Sequence, residues 1–176
     1  MKRFWFATAT ATASAALVGL VALAVPSAPP TVSAKESTTF KASLDGFHEV
    51  PPRLTSSTGS FQLIVSQDGQ SMAYTLTFTA LTSPTLFAHI HFGQAKVNGG
   101  IFAFLCGGGG KPDCPASGGT VSGTITAADI LAPSPDQGLA AGDIAGALAI
   151  IRNKDAYANV HSQRFPAGEI RGQLRD

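Results

Sequence analysis

The chain is poor in charge. Only 13% of its 176 residues are Asp, Glu, Lys or Arg, and the formal charge is +1. A nucleic-acid binder shows a basic excess or a basic stripe, and neither is present. Cysteine is nearly absent, with only Cys106 and Cys114, and their spacing matches no Cys-x-x-Cys redox or zinc motif. No serine sits in a Gly-x-Ser-x-Gly elbow. The Gly107–Gly110 run lacks the Gly-Lys-Ser/Thr ending and strand-to-helix setting of a phosphate loop. No repeat of fixed period runs through the chain. Nothing in the sequence calls for an organic cofactor, and no catalytic constellation stands out.

The first residues read as a targeting segment. Lys2 and Arg3 precede an Ala/Thr-rich apolar run ending Ala-Leu-Val-Gly-Leu-Val-Ala-Leu-Ala-Val25, and Val32-Ser33-Ala34 fits a small-residue cleavage site. The uninterrupted apolar stretch is shorter than the ~20 residues a membrane span needs. No later segment is long enough to span a bilayer. No cysteine follows the run and no twin arginine precedes it, which points to general secretion. Residues 1–34 are therefore expected to be a signal peptide and 35–38 a short leader. Residues 35–176, 142 in all with a net charge of −1, suit one domain with its own core. The expected location is extracellular or periplasmic, with no membrane attachment after cleavage. An oxidising compartment favours a Cys106–Cys114 disulfide across the glycine loop.

Downstream the pattern is that of short strands. Phe40, Ala42 and Leu44 alternate with polar residues, and Val50-Pro-Pro52 breaks the run. Residues 59–81 read as a hairpin turning at Asp68-Gly69. Phe61, Leu63 and Val65 lie on one arm, and Met72, Tyr74, Leu76 and Phe78 on the other. Further strands are expected at 85–93, 101–105, 120–125, 156–162 and 169–174. Thr126 caps a short turn, and Ile144, Leu148 and Ile151 fall at helical spacing over 142–153. About eight strands with one or two short helices predict an all-β, antiparallel, Greek-key-like sandwich or barrel.

Histidine is the residue whose placement carries chemistry. There are four, His48, His89, His91 and His161. His89 and His91 fall on one face of a strand, roughly 7 Å apart along it, so both imidazoles can reach one ion. His161 shares a strand face with Tyr157 and Asn159. If the strands neighbour one another, His89, His91 and His161 form an imidazole site suited to copper or zinc, with His48 and Glu169 as candidate further ligands. Glu169 and Arg171 share a face as well. They are read as an ion pair closing the fold, or Glu169 as a ligand or a partner orienting His161. The alternative to a metal site is half-buried histidines bonded to backbone, Glu49 or Glu169.

Several ordered motifs carry a family likeness. Leu44-Asp-Gly-Phe-His-Glu-Val-Pro-Pro52, Ala88-His-Ile-His-Phe-Gly93, Asn98-Gly-Gly, Phe104-Leu-Cys106, Ser122-Gly-Thr-Ile-Thr-Ala-Ala-Asp129, Asn159-Val-His161 and Pro166-Ala-Gly-Glu-Ile-Arg-Gly172 together resemble the CHRD domain over about residues 39–174. That domain is named for chordin, an extracellular antagonist of secreted growth factors, and it also occurs as a single exported domain in bacteria. The resemblance implies a secreted β-rich module. It marks Glu49, Pro51, Pro52, His89, His91, Gly93, Asn159, His161, Gly168, Glu169, Arg171 and Gly172. His48 departs from the pattern, which favours His89, His91 and His161 as the minimal ligand set. The His-Ile-His stretch also resembles the copper strand of copper–zinc superoxide dismutase. That enzyme needs more histidines than this chain has, so dismutase-like activity is the least favoured reading. The two leading expectations are a metal-binding module and an extracellular protein- or matrix-interaction domain with structural histidines.

Overall fold

The alternating apolar residues of the hairpin fold as their pattern requires. Strands β2 (Thr58–Val65) and β3 (Ser71–Thr79) pair antiparallel in unbroken register, from Thr58 opposite Thr79 to Val65 opposite Met72. Phe61, Leu63, Val65, Met72, Tyr74, Leu76 and Phe78 all point inward and are buried. Asp68 stabilises the turn by accepting from the Ser66 hydroxyl and the Gln70 amide. Gly69 supplies the positive φ of 68° that an L side chain resists.

The computed structural model describes residues 38–176. The expected signal peptide and most of the leader lie outside the described residues. Among these, eight strands form one antiparallel sheet in the order β5-β4-β7-β8-β1-β2-β3-β6. The other strands are β1 (Thr39–Asp45), β4 (Thr85–Phe92), β5 (Gly100–Cys106), β6 (Gly119–Thr126), β7 (Ala156–Ser162) and β8 (Ile170–Gln173). Glu169 lies just before β8, although its amide still donates to Val160 O at 2.9 Å. Of the two expected architectures, the sheet takes the barrel form. It curls until edge strands β5 and β6 approach each other, leaving the barrel nearly closed.

Closure leaves the free edge of β5 to be satisfied by other groups. The Tyr74 hydroxyl donates to Leu105 O at 2.7 Å, and the Leu131 amide to Phe102 O at 2.8 Å. Gly123 on β6 faces Tyr74, and a Cβ there would lie 2.6 Å from the phenol oxygen, so only glycine leaves the ring room. The expected disulfide is present. Cys106 at the end of β5 is bonded to Cys114, with Cα atoms 5.0 Å apart. Helix α1 (Ile144–Arg152) is capped by Asp143, whose carboxylate accepts from the Gly146 amide. It adds Ile144, Ala147, Leu148 and Ile151 to the core. No helix among the described residues is long and apolar enough to cross a membrane.

Strands β4 and β7 are buried on both faces, which is what positions the functional residues. Ala88, Ile90, Ala158 and Val160 face the main core. The opposite face carries Phe87, His89 and His91 of β4 beside His161, Asn159 and Tyr157 of β7.

Candidate metal centre

Strand register brings three histidines together. Phe87 pairs with His161, His89 with Asn159 and His91 with Tyr157. On its other side β4 pairs with β5, and that ladder shifts register between Ala88 and His89 and again between Ile90 and His91. Bulges re-aim side chains, and here they flank the two strand histidines. The ring centroids of His89 lie 4.5 Å from His91 and 4.4 Å from His161. One ring nitrogen from each of the three histidines falls within 4.8 Å of the others. Three nitrogens bound to one ion at ~2.0 Å each stand roughly 3.3–3.5 Å apart, so an ion requires the widest pair to draw in by at most about 1.5 Å.

The tautomers of two rings are set by the backbone. His91 Nδ1 lies 2.8 Å from Gly99 O and His161 Nδ1 lies 3.0 Å from Pro166 O. A carbonyl can only accept, so in each neutral ring Nδ1 carries the proton and Nε2 presents a lone pair. Both Nε2 atoms, and both ring nitrogens of His89, are buried with no hydrogen-bonding partner in the protein. Such groups are rare and costly. A backbone carbonyl fixing the remote nitrogen is the usual support of a ligating histidine.

Burial also keeps the rings neutral. It pushes His89 down to about 2, helped by the nearby His161 and His91. Burial lowers His161 to about 4, against the Pro166 carbonyl. Burial likewise lowers His91 to about 4. There the Gly99 carbonyl opposes the shift, and His161 and Arg171 add to it. All three offer unprotonated nitrogens at neutral pH without competition from protons.

Aromatic rings wall the group. Phe87 stacks on His89 at 5.3 Å and tilts against His161 at 4.8 Å, and Phe104 meets His89 edge-on at 5.3 Å. Tyr157 stacks on His91 with planes 8° apart, while the Arg171 guanidinium sits 3.4 Å from the centre of the Tyr157 ring. Arg171 also donates to Asn98 Oδ1, Gln94 O and Val97 O, which ties down the loop that supplies the Gly99 carbonyl.

The model of the CHRD domain matches residues 40–174. The chain belongs to the CHRD family. None of the curated proteins compared with it matches the chain.

The motif residues of this CHRD domain surround the histidines. Glu49 is buried and accepts from Asn159 Nδ2 at 2.7 Å, while the same amide donates to Ile170 O. Burial raises the Glu49 carboxyl to about 7, against the pull of Asn159, Arg171 and Arg53. Three glycines make room for these contacts. A Cβ at Gly168 would lie 2.6 Å from the Glu49 carboxylate, one at Gly93 3.0 Å from Tyr157, and one at Gly172 against the Ser43 carbonyl. Pro51, joined to Val50 by a cis bond, and Pro52 are exposed beside this cluster.

Two sequence expectations are corrected. His48 is exposed and pairs with Asp45 at 2.8 Å. It falls in the 3-10 turn Gly46–His48, which Asp45 caps, and the turn directs it to solvent while Glu49 turns inward. Glu169 pairs with neither Arg171 nor His161. Its Oε1 accepts from the Ser57 hydroxyl and the Thr82 amide. Burial opposes its ionisation, but the Ser162 and Ser57 hydroxyls and Thr82 outweigh that and hold it below the usual range. The aromatic walls and the Gly99 and Pro166 carbonyls were missed by sequence reading. Their one visible signal was that Phe87 shares the alternation of His89 and His91.

Proposed function

We propose that this CHRD domain is an exported module that binds one copper or zinc ion through His89, His91 and His161. The observation that carries it is the convergence of buried, unpartnered ring nitrogens, with His91 and His161 held in the tautomer that leaves Nε2 free. The fit is chemical as well as geometric, since neutral imidazoles suit both metals. The signal-peptide pattern expected over residues 1–34 and the Cys106–Cys114 bond support export. Titration calorimetry of the purified, chelator-treated chain with copper and with zinc tests the reading. Binding near one equivalent, lost in the His89→Ala/His91→Ala variant, is expected. Unchanged stoichiometry in that variant, or no binding to the wild type, overturns it and leaves a structural polar cluster.

A second reading, an extracellular protein- or matrix-contact domain, is favoured by one surface feature. A cavity of about 390 Å³ lies between Phe47, Val50, Pro52 and Lys96, and Phe47 on its rim is 66% exposed. Capture of a partner from culture medium by the wild type, lost on Phe47→Asp, supports it. Equal capture by both chains counts against it.

A further inference from the structure

We propose that the ion held by His89, His91 and His161 is copper(I), coordinated by the three neutral imidazoles alone. The inference rests on the metal-site reading above and concerns which ion the surroundings select.

The charge of the donor set comes first. The group found among the described residues contains three histidines and no carboxylate or thiolate. Of the two buried acids, Glu49 accepts from the Asn159 amide and Glu169 Oε1 from Ser57 and Thr82, and neither belongs to the histidine group. A bound dication would keep its full charge in dry surroundings. The penalty for burying charge grows as its square, so a divalent ion bears about four times that of a monovalent one.

The walls point the same way. His89, His91 and His161 are 1%, 8% and 5% exposed, and Phe87, Phe104 and Tyr157 lie against the rings. Zinc on three protein ligands keeps a water at its fourth position. Copper(II) prefers a tetragonal set of nitrogen and oxygen donors. Buried rings packed against aromatic carbon serve neither preference, whereas copper(I) is complete with three imidazoles.

A fixed cation adds to the selection. Tyr157 carries the Arg171 guanidinium 3.4 Å from its ring centre and stacks on His91 at 4.5 Å. Two planar groups centred on one ring occupy its opposite faces, so the cation lies behind a ligand. Its repulsion weighs twice as heavily on a divalent ion as on a monovalent one. The same balance raises the potential of the copper(II)/copper(I) couple, so bound copper(I) resists oxidation. The domain would hold cuprous ion without an open coordination position.

The test is anaerobic competition of the purified chain against bicinchoninate for copper(I), and against a fluorescent chelator for zinc. It is paired with paramagnetic resonance after exposure to air. One equivalent of copper(I) is expected, held more tightly than zinc or copper(II) by on the order of a hundredfold or more. Air exposure should produce no copper(II) signal from the bound ion. Zinc or copper(II) bound as tightly as copper(I), and lost in the His89→Ala/His91→Ala variant, would overturn the cuprous assignment while leaving the metal site standing. No binding of any ion, or binding that the variant leaves intact, removes both.

Discussion

Acid should destabilise the metal-free protein with a slope set by four buried groups. His89, His91 and His161 are held at about 2, 4 and 4, against an ordinary value of 6.5. Between pH 4.5 and 6.5 the unfolded chain therefore carries three imidazole protons that the native state lacks. A state that binds more protons gains as pH falls, so each histidine removes about 1.4 kcal/mol of stability per pH unit. Glu49 acts in the opposite sense. Its folded value of about 7 lies above the ordinary 4.5, so in that window the native state holds a proton the unfolded chain has lost. Acidification then returns about 1.4 kcal/mol per unit. Three histidines against one glutamate leave a net loss that approaches about 2.7 kcal/mol per pH unit near pH ~5.

At pH 7 the three unfolded histidines already bind roughly 0.7 proton against roughly 0.5 on native Glu49, so stability should rise from pH 5.5 through 6.5 and level off near pH ~7.5. A fall from pH 6.5 to 5.5 removes about 2 kcal/mol, a sizeable part of the ~5–15 kcal/mol typical of a domain. Urea unfolding of chelator-treated protein at pH 7.5, 6.5 and 5.5 measures this. Circular dichroism is the readout, because the one tryptophan, Trp5, lies in the expected signal peptide. Stability that is flat or rising from pH 6.5 to 5.5 would refute the neutral, buried state assigned to the three rings.

Two structural predictions test the frame of the site. Replacing both cysteines, Cys106→Ser with Cys114→Ser, should cost about 2–3 kcal/mol through loop-closure entropy and lower Tm by roughly 5–10 °C. An unchanged melting curve would show that the bond does not constrain the loop after β5. Arg171→Met removes three donated hydrogen bonds and the contact on Tyr157, at a cost of about 3 kcal/mol. Amide exchange at Gly99 should then accelerate in proportion, and unaltered protection there would rule out Arg171 as the strut of that loop.

Period-two alternation made the strands legible, because burial on one face leaves a strict pattern in β1, β2 and β3. It also placed His89 and His91 on a common face. Alternation does not reveal which strands neighbour one another, so the meeting of β4 with β7, and with it the arrival of His161, came from topology. His48 shows the limit of counting residue types. It adjoins buried Glu49, yet a single 3-10 turn sends the two side chains opposite ways. Glu169 and Arg171 show another. Hydroxyls and a backbone amide hold Oε1 of the acid, and carbonyls and an aromatic ring hold the base. Partners of that kind leave no charge pattern in a sequence.

The strongest argument that the histidines serve a ligand is energetic. A buried polar atom without a partner costs about 1–3 kcal/mol, and His89 alone has two such nitrogens. His89 is walled by Phe87 and Phe104, so leucine, apolar and of nearly the same volume, suits the site better in the absence of metal. His89→Leu should therefore stabilise the metal-free protein by about 2 kcal/mol, since removing an unsatisfied polar group outweighs a small repacking cost. It should also lower the acid slope near pH ~5 from about 2.7 to about 1.4 kcal/mol per unit, and it should abolish metal binding. A domain that gains stability while losing its ligand is one whose sequence holds a strained site for function. If His89→Leu instead destabilises the metal-free chain by more than about 1 kcal/mol, the ring makes contacts worth more than its unpaired nitrogens cost. The histidines would then be part of the packing, and a ligand would no longer be needed to explain them.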